Sequence, residues 1–548
     1  MLDSLSQKNR YLIFLIVLVI FFAAYDRYVI APQNAARQAA LEAQKNATLA
    51  EKTASPNSAL ASGGDTGNLN APLSAVADKA APAAPNSSIE PPRALAATER
   101  VIARVKTQIS ELEIDDLGRV AQATLTENIF KGEDNAQLKL FDPSEVRALE
   151  VRFRDAALNQ AAFKTAYAAS GAEVDATVEP AMLVLTQDLG EAQVAKTFTF
   201  YPDGHFDLKI SLSKPTEFYI TTGFRPVASS DKMVIQGALT QLANGSIEVI
   251  AEGDAKGGES FIGARMISTF DRYYASILFN YSETFAVNFL KVNDAAPLGF
   301  IKSEKDLELG GYIGPKYVDK LRKINPELTA AVEYGFFTFL SKPLFVILEW
   351  IYSVIPNWGW AIVVFTLLVK IVLFPLSHKG MVSMSRLKDI TPRIKELQER
   401  YKDDKQKLQL HLMELYKKHN ANPLGGCLPL LIQIPIFFAI YRVLLNAIEL
   451  KGAEWFYISD LSMKDPFFIL PLLMGFTMWF QQKITPSNFT DPMQEKLFKW
   501  LPAVFTVFFL FFPAGLVLYW LINNVISIAQ QWLVNASLAK SKKRENND

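Results

Sequence analysis

Cysteine is almost absent: Cys427 is the single one in 548 residues, so no internal disulfide can staple the fold. Histidine is scarce too, and His205, His378, His411 and His419 are too scattered to form a Cys/His metal site, so neither a metal nor any other cofactor is implied. Net charge is missing, because 56 basic residues balance 56 acidic ones. That balance excludes a nucleic-acid substrate held on one dominant basic face. The chain shows no nucleophile paired with a base, no paired intramembrane carboxylates and no phosphate-cradling glycine loop, so covalent catalysis is not indicated and the protein reads as no enzyme. What it has in excess is apolar residues, 50% of the total, distributed very unevenly along the chain.

Tyr11 to Ala24 are nearly all apolar and follow Lys8 and Arg10, the layout of a signal sequence or anchor. Tyr25-Asp26-Arg27-Tyr28 follows in place of a small-residue cleavage site, which favours an uncleaved transmembrane anchor over residues 1–30. Residues 31–94, rich in Ala, Ser, Asn, Gly and Pro, read as a flexible linker, with a marginal Ala-rich helix as the alternative for their first part. Over 95–335 the pattern becomes short alternating runs, among them Thr197 to Tyr201, His205 to Ile210, Glu217 to Thr221, Ser246 to Ile250 and Tyr273 to Phe279. Period-2 alternation predicts strands and an antiparallel β-sandwich, with a hairpin at Pro202-Asp203-Gly204. A stretch near Pro143 to Ala169 reads as helix.

From Phe336 the chain turns into a membrane protein. Residues 336–357, carrying Lys342, Pro343, Glu349 and Trp350, read as an amphipathic interfacial helix, with a tilted extra span as the alternative. Transmembrane helices are expected at 358–376, 427–448, 466–483, 498–513 and 514–535, each near the roughly 20 residues that a bilayer demands. Pro513-Ala514-Gly515 splits the last charge-free stretch into a tight hairpin. With the anchor this makes a six-helix membrane bundle, five helices of which form a C-terminal core. The loop 377–426 holds eleven Lys and Arg and the tail 536–548 holds Lys540, Lys542, Lys543 and Arg544, which places both in the cytoplasm and the β domain on the far, periplasmic side. Within the loop, Leu387, Ile390, Ile394, Leu397 and Tyr401, then Leu408, Leu412 and Leu415, predict a two-helix hairpin, with Thr391-Pro392 as a possible helix restart. A basic hairpin of this kind is suited to nascent chains or lipid headgroups.

Polar residues at membrane depth carry the functional signal. Lys370 costs about 2.5–3.5 kcal/mol in a span. Snorkelling to the interface would relieve that cost. Thr366 lies one turn earlier on the same face, however, and Gln433, Gln481, Gln482, Asn523, Asn524, Ser527, Gln530 and Gln531 repeat the theme in other spans. Interhelical hydrogen bonding explains such amides singly; together with a cation whose span lacks Asp and Glu they point to a hydrated cavity. Arg442, near Glu449 at the other end of its span, snorkels or pairs. A transporter or channel would also place polar groups at depth but calls for a mid-membrane carboxylate or broken helices, and a membrane-anchored periplasmic sugar enzyme leaves the polar-lined spans unexplained.

Asn422-Pro423-Leu424-Gly425-Gly426-Cys427, continuing through Pro429, Gln433 and Pro435, resembles the signature that opens the third helix of the bacterial YidC insertases, relatives of the mitochondrial and chloroplast insertases. Asp465-Pro466, Asp491-Pro492-Met493-Gln494, Phe512-Pro513-Ala514-Gly515-Leu516 and Tyr312-Ile313-Gly314-Pro315 support it, and the resemblance is strong over about Gly310 to Leu533. It implies insertion and folding of nascent inner-membrane proteins, alone or with the Sec translocon and ribosomes, through a hydrophilic groove open to cytoplasm and lipid. It further implies a supersandwich periplasmic domain and a groove lined by Thr366, Lys370, Gln433, Tyr519, Trp520, Asn523, Asn524 and Ser527. The chain departs from that pattern at Lys370, where arginine is usual, and at Trp520, where a tyrosine is expected. Lysine retains the charge but not the rigid donor fork.

Overall fold

A computed structural model of the protein describes residues 100–131, 136–228, 234–402, 404–419, 428–485 and 492–545. The expected anchor (1–30), linker (31–94) and signature run Asn422 to Cys427 lie outside them. The chain divides into two units, one of β structure ending at Gly314 and one of helices beginning at Pro315.

The β unit opens with β1 (Val101–Lys106), β2 (Ser110–Asp115) and β3 (Val120–Leu125), followed by β4 (Val151–Phe153), α1 (Ala156–Lys164), β5 (Ala168–Ala169) and β6 (Glu173–Asp175). Next come β7 (Ala181–Asp188), β8 (Gln193–Phe200), β9 (His205–Leu212), β10 (Phe218–Thr221), β11 (Gly237–Leu242) and β12 (Ile247–Ala251). The last are β13 (Ser260–Phe270), β14 (Tyr274–Phe279), β15 (Phe285–Val292), β16 (Ala296–Ser303) and β17 (Leu307–Pro315). A four-stranded sheet runs β3-β2-β1-β6, and a 13-stranded sheet runs β4-β10-β16-β15-β13-β14-β17-β9-β8-β7-β5, with β11 and β12 branching from β13. The hairpin-linked strands β1-β2-β3, β7-β8-β9 and β15-β16 pair antiparallel, while β1 and β6 run parallel. Alternation is the cause: in β8, Val194, Lys196, Phe198 and Phe200 turn inward while their neighbours are more exposed. The hairpin at Pro202-Asp203-Gly204 forms as read, with Gly204 at φ +85° and its N–H donating to the Tyr201 carbonyl at 3.0 Å.

Helix over Pro143 to Ala169 is corrected by the structure. Only Ala156–Lys164 is helical, capped by the Asp155 carboxylate, which accepts from the Leu158 N–H at 2.8 Å. Val151–Phe153 instead pairs with β10. Charged residues there mimic a solvated helix face but are buried in ion pairs: Asp115 accepts from Arg119 Nε at 2.8 Å and Arg147 Nη1 at 2.7 Å, and Glu150 from Arg119 Nη1 at 2.9 Å and Arg152 Nη2 at 2.7 Å. Beside them the fully buried Lys196 donates to the carbonyls of Gly118 at 2.8 Å and Leu149 at 2.9 Å.

The helical unit comprises α2 (Val318–Ile324), α3 (Thr338–Val354), α4 (Trp358–Arg400), α5 (Lys405–Lys418), α6 (Leu428–Asn446), α7 (Ile469–Ile484), α8 (Pro492–Phe509) and α9 (Ala514–Glu545). The amphipathic segment is α3, and the final hairpin turns at Phe512-Pro513 as expected. Two expectations change. No break separates the span from the cytoplasmic hairpin, and Pro392 does not restart a helix: α4 runs unbroken for 43 residues through Pro375 and Pro392. Packing overrides the proline, because Ile390 and Ile394 bury against Leu412 on α5, with Leu387, Leu397, Leu408 and Leu415 around them. Arg442 does not pair with Glu449 either, whose carboxylate accepts from the Val318 N–H at 3.1 Å.

Among the described residues one helical segment, Trp358–Leu387, is by itself long and apolar enough to cross a membrane, while Gln433–Asn446 and Phe498–Phe509 are apolar but shorter. Large apolar side chains stand exposed in patches on α4 (Ile371, Val372), α7 (Leu472, Phe476) and α8 (Val504, Val507). A water-soluble protein rarely leaves such patches bare; hydrocarbon solvates them without cost.

Candidate functional site: a polar recess among helices

Helices α4, α6 and α9 enclose a recess of ≈ 400 Å³, including space open to solvent, lined by Thr366, Lys370, Ser377, Gln433, Tyr519 and Asn523 with the apolar Val369, Leu373, Leu376 and Ile436. Thr366, Val369, Lys370, Leu373 and Ser377 recur at three- and four-residue steps along α4, so a single helix face supplies one wall. The Lys370 ammonium donates to Ser527 Oγ at 2.8 Å, and Ser527 Oγ in turn donates to the Asn523 carbonyl at 2.8 Å. Gln433 Nε2 donates to Asn523 Oδ1 at 3.1 Å, linking α6 to α9. No Asp or Glu pairs with Lys370 among the described residues.

The structure brings six of the eight expected residues to this place: Thr366, Lys370, Gln433, Tyr519, Asn523 and Ser527. Thr366 contributes less polarity than its position promised, since its hydroxyl donates back to the Ile362 carbonyl at 2.6 Å. Asn524 points elsewhere, its amide lying 3.5 Å from the Met474 carbonyl and 3.5 Å from Thr477 Oγ1 on α7. A rotation of 100° per residue separates it from Asn523, so adjacent asparagines serve different faces. Trp520 stacks into an aromatic cluster with Phe437, Phe505 and Phe509 at 4.6–6.2 Å between ring centroids. Ser377 was missed by sequence reading; its position two turns beyond Lys370 on the same face was the available signal. Gln482, read as a groove amide, donates instead to the Phe498 carbonyl on α8 at 2.5 Å.

An apolar-surfaced helical unit enclosing a polar, cationic recess, joined in sequence to a large antiparallel β domain, defines a membrane-embedded protein with a domain outside the bilayer. The profile described as "60Kd inner membrane protein" matches residues 350–542, and that described as "YidC periplasmic domain" matches residues 271–347. The chain is similar to the membrane protein insertase YidC of Wolinella succinogenes, with 46% identity over 99% of this chain and 97% of the relative. It is likewise similar to that of Campylobacter jejuni, with 42% identity over 98% of each chain, and of Helicobacter pylori strain 26695, with 45% identity over 84% of this chain and 89% of the relative. The chain belongs to the YidC family: it is a non-enzymatic membrane protein insertase of the inner membrane, with a periplasmic domain, acting on nascent membrane proteins.

Proposed function

We propose that insertion proceeds through the recess bounded by α4, α6 and α9, with Lys370 as its electrostatic centre. The observation that carries this reading is the Lys370 ammonium itself, held at 2.8 Å by a neutral hydroxyl of Ser527 in a polar recess, with no carboxylate partner among the described residues. A buried cation without a counter-ion is costly, and an incoming polar or acidic segment offsets that cost by supplying one. Gln433, Asn523 and Ser527 offer both donors and acceptors, which suits tails of varied sequence, while exposed Ile371 and Val372 give the accompanying apolar segment a surface continuous with lipid. Tyr519 lines the same recess. Asn524 and Trp520 act as packing residues of its wall.

The wider reading is of six spans, five of them forming the core from about residue 358, with both termini cytoplasmic and a supersandwich periplasmic domain over 95–335. Charge bias supports the orientation, and the apolar exposure of α7 and α8 supports counting them as spans although each is shorter than a bilayer is thick. The basic hairpin α4–α5 faces ribosomes and lipid headgroups, and the Sec translocon delivers some substrates. A photocrosslinking residue placed at 370 in the full chain, during synthesis of a short-tailed membrane protein, tests the central claim. Capture of the nascent chain is expected; labelling of lipid alone would show that position 370 meets the bilayer and overturn it.

A further inference from the structure

The connection between α6 and α7 is a folded platform edged with aromatic side chains. Trp455 and Ile458 exchange backbone hydrogen bonds at 2.8 and 2.9 Å, closing a tight turn. The platform is pinned to the start of α9 by the Ala514 and Gly515 N–H groups, which donate to the carbonyls of Met463 at 2.7 Å and Leu461 at 2.9 Å. Asn357, the residue that caps α4, donates through Nδ2 to the Glu454 carbonyl at 3.1 Å. Buried Asp465 accepts from the Phe467 and Leu470 N–H groups at 3.0 and 2.6 Å and from the Tyr457 hydroxyl at 2.8 Å, anchoring the start of α7. The platform thus sits at the N-terminal ends of α4, α7 and α9 together.

From this rigid base Phe456 is 74% exposed and Phe467 65%, with Trp360 and Phe468 nearly half exposed. Phe456 and Phe468 hold positive φ, +50° and +56°, a conformation that costs an aromatic residue about 1–3 kcal/mol and persists only where surrounding structure enforces it. Trp360, Trp455 and Phe456 pack edge to face at 4.6–6.1 Å, which binds these three rings into one body. On the same connection the exposed Phe467 and Phe468 lead straight along the chain into the bare apolar face of α7 at Ile469, Leu472 and Phe476.

We propose that this platform is embedded in the headgroup boundary of the outer leaflet and sets the depth of the recess. The occupant is lipid, argued from the run of exposed rings into the apolar face of α7 and from the siting of the exposed, amphipathic Trp360 and Tyr457 beside the N-terminal ends of α4 and α7, where such rings partition. Ten residues separate Trp360 from Lys370 along one helix, so the cation lies ~15 Å below the aromatic ring, half of a ~30 Å hydrocarbon core. The platform therefore acts as a depth stop that holds Lys370 at mid-membrane, out of reach of snorkelling. This inference rests on the groove reading for its consequence and stands on its own for its location.

The test uses the full chain in vesicles containing nitroxide-bearing lipids, with Cys427→Ser and a single fluorophore at Phe456→Cys; a second sample carries the fluorophore at Lys407→Cys on the hairpin. Quenching at 456 by shallow nitroxides, stronger than by deep ones, with loss of access to aqueous iodide relative to position 407, is the expected result. Iodide access at 456 equal to that at 407 would place the platform in water and overturn the proposal. A fluorophore at Ile371→Cys then reads depth: Phe456→Ser with Phe467→Ser should shift its quenching toward a different nitroxide position, and no shift would refute the depth-setting role. Neither readout depends on insertion activity, so failure of the groove reading, seen by crosslinking at 370, remains distinguishable.

Discussion

Lys196 offers a sharp test of how the β domain tolerates a buried cation. It occupies an inward register position of β8, is fully buried, and has only two carbonyl oxygens for direct hydrogen-bonding partners, while Asp115 and Glu150 nearby are already shared among three arginines. Burial outweighs the attraction of those carboxylates and brings the ammonium from its ordinary 10.5 down to about 7. The unfolded chain therefore binds more protons than the folded one between pH 7 and 10.5, and stability rises with pH through that window. One pH unit within it is worth at most about 1.4 kcal/mol, so passing from pH 7 to pH 9 stabilises the domain by about 2 kcal/mol once partial titration at the lower end is counted. Lys196→Met fills similar volume and removes the titration, at the loss of two hydrogen bonds. Pulse proteolysis of the full chain in urea at several pH values, reading cleavage within 100–314, should give a midpoint that climbs with alkalinity in the parent and a flatter curve in Lys196→Met. Identical pH slopes in the two proteins would refute the reasoning, because the extra proton would then reside elsewhere.

Three further outcomes are expected. In an insertion assay Lys370→Arg retains activity, Lys370→Gln loses part of it and Lys370→Ala loses most; equal activity in all three would remove charge from the mechanism. Asp115→Ala leaves the Arg147 guanidinium buried without its carboxylate and Arg119 with Glu150 alone, costing about 3–5 kcal/mol, which a fall in the urea midpoint of the β domain would register. Gly475→Leu drives a side chain into Thr506 on α8 and should lower thermal stability in detergent by an overpacking cost of about 1–3 kcal/mol, relieved in part by Thr506→Gly.

The strand runs from Thr197 to Phe279 were legible from a period of two, and the polar face of Thr366 and Lys370 from their i, i+4 spacing, whereas Gln433 stood out only as a lone amide in an apolar run. What stayed hidden depended on tertiary partners. Arg147 and Glu150 look solvated until Asp115 and Arg119, distant in sequence, are seen to neutralise them. Pro392 looks like a boundary until the α5 leucines hold the helix through it. Asn523 and Asn524 are neighbours of one kind in the sequence, and only the rotation of α9 assigns one to the recess and the other to α7. Trp520 was distinguished by comparison with a family pattern, whereas its edge contact with Phe437 and its stacking on Phe505 come from helices that no local signal brings together.

The unbroken course of α4 has a mechanical consequence. From Lys370 to Arg400 is 30 residues, a rod of ~45 Å, so a 5° tilt about the lysine sweeps the hairpin tip through ~4 Å. Run in reverse, a body that grips the tip gains leverage: coarse displacements at the cytoplasmic end become fine adjustments of the wall that carries the cation. Pro375 and Pro392 each lack the backbone N–H that the helix ladder uses, so the rod has two points where a hydrogen bond is missing. One continuous helix thus carries both the cation of the recess and the first arm of the hairpin.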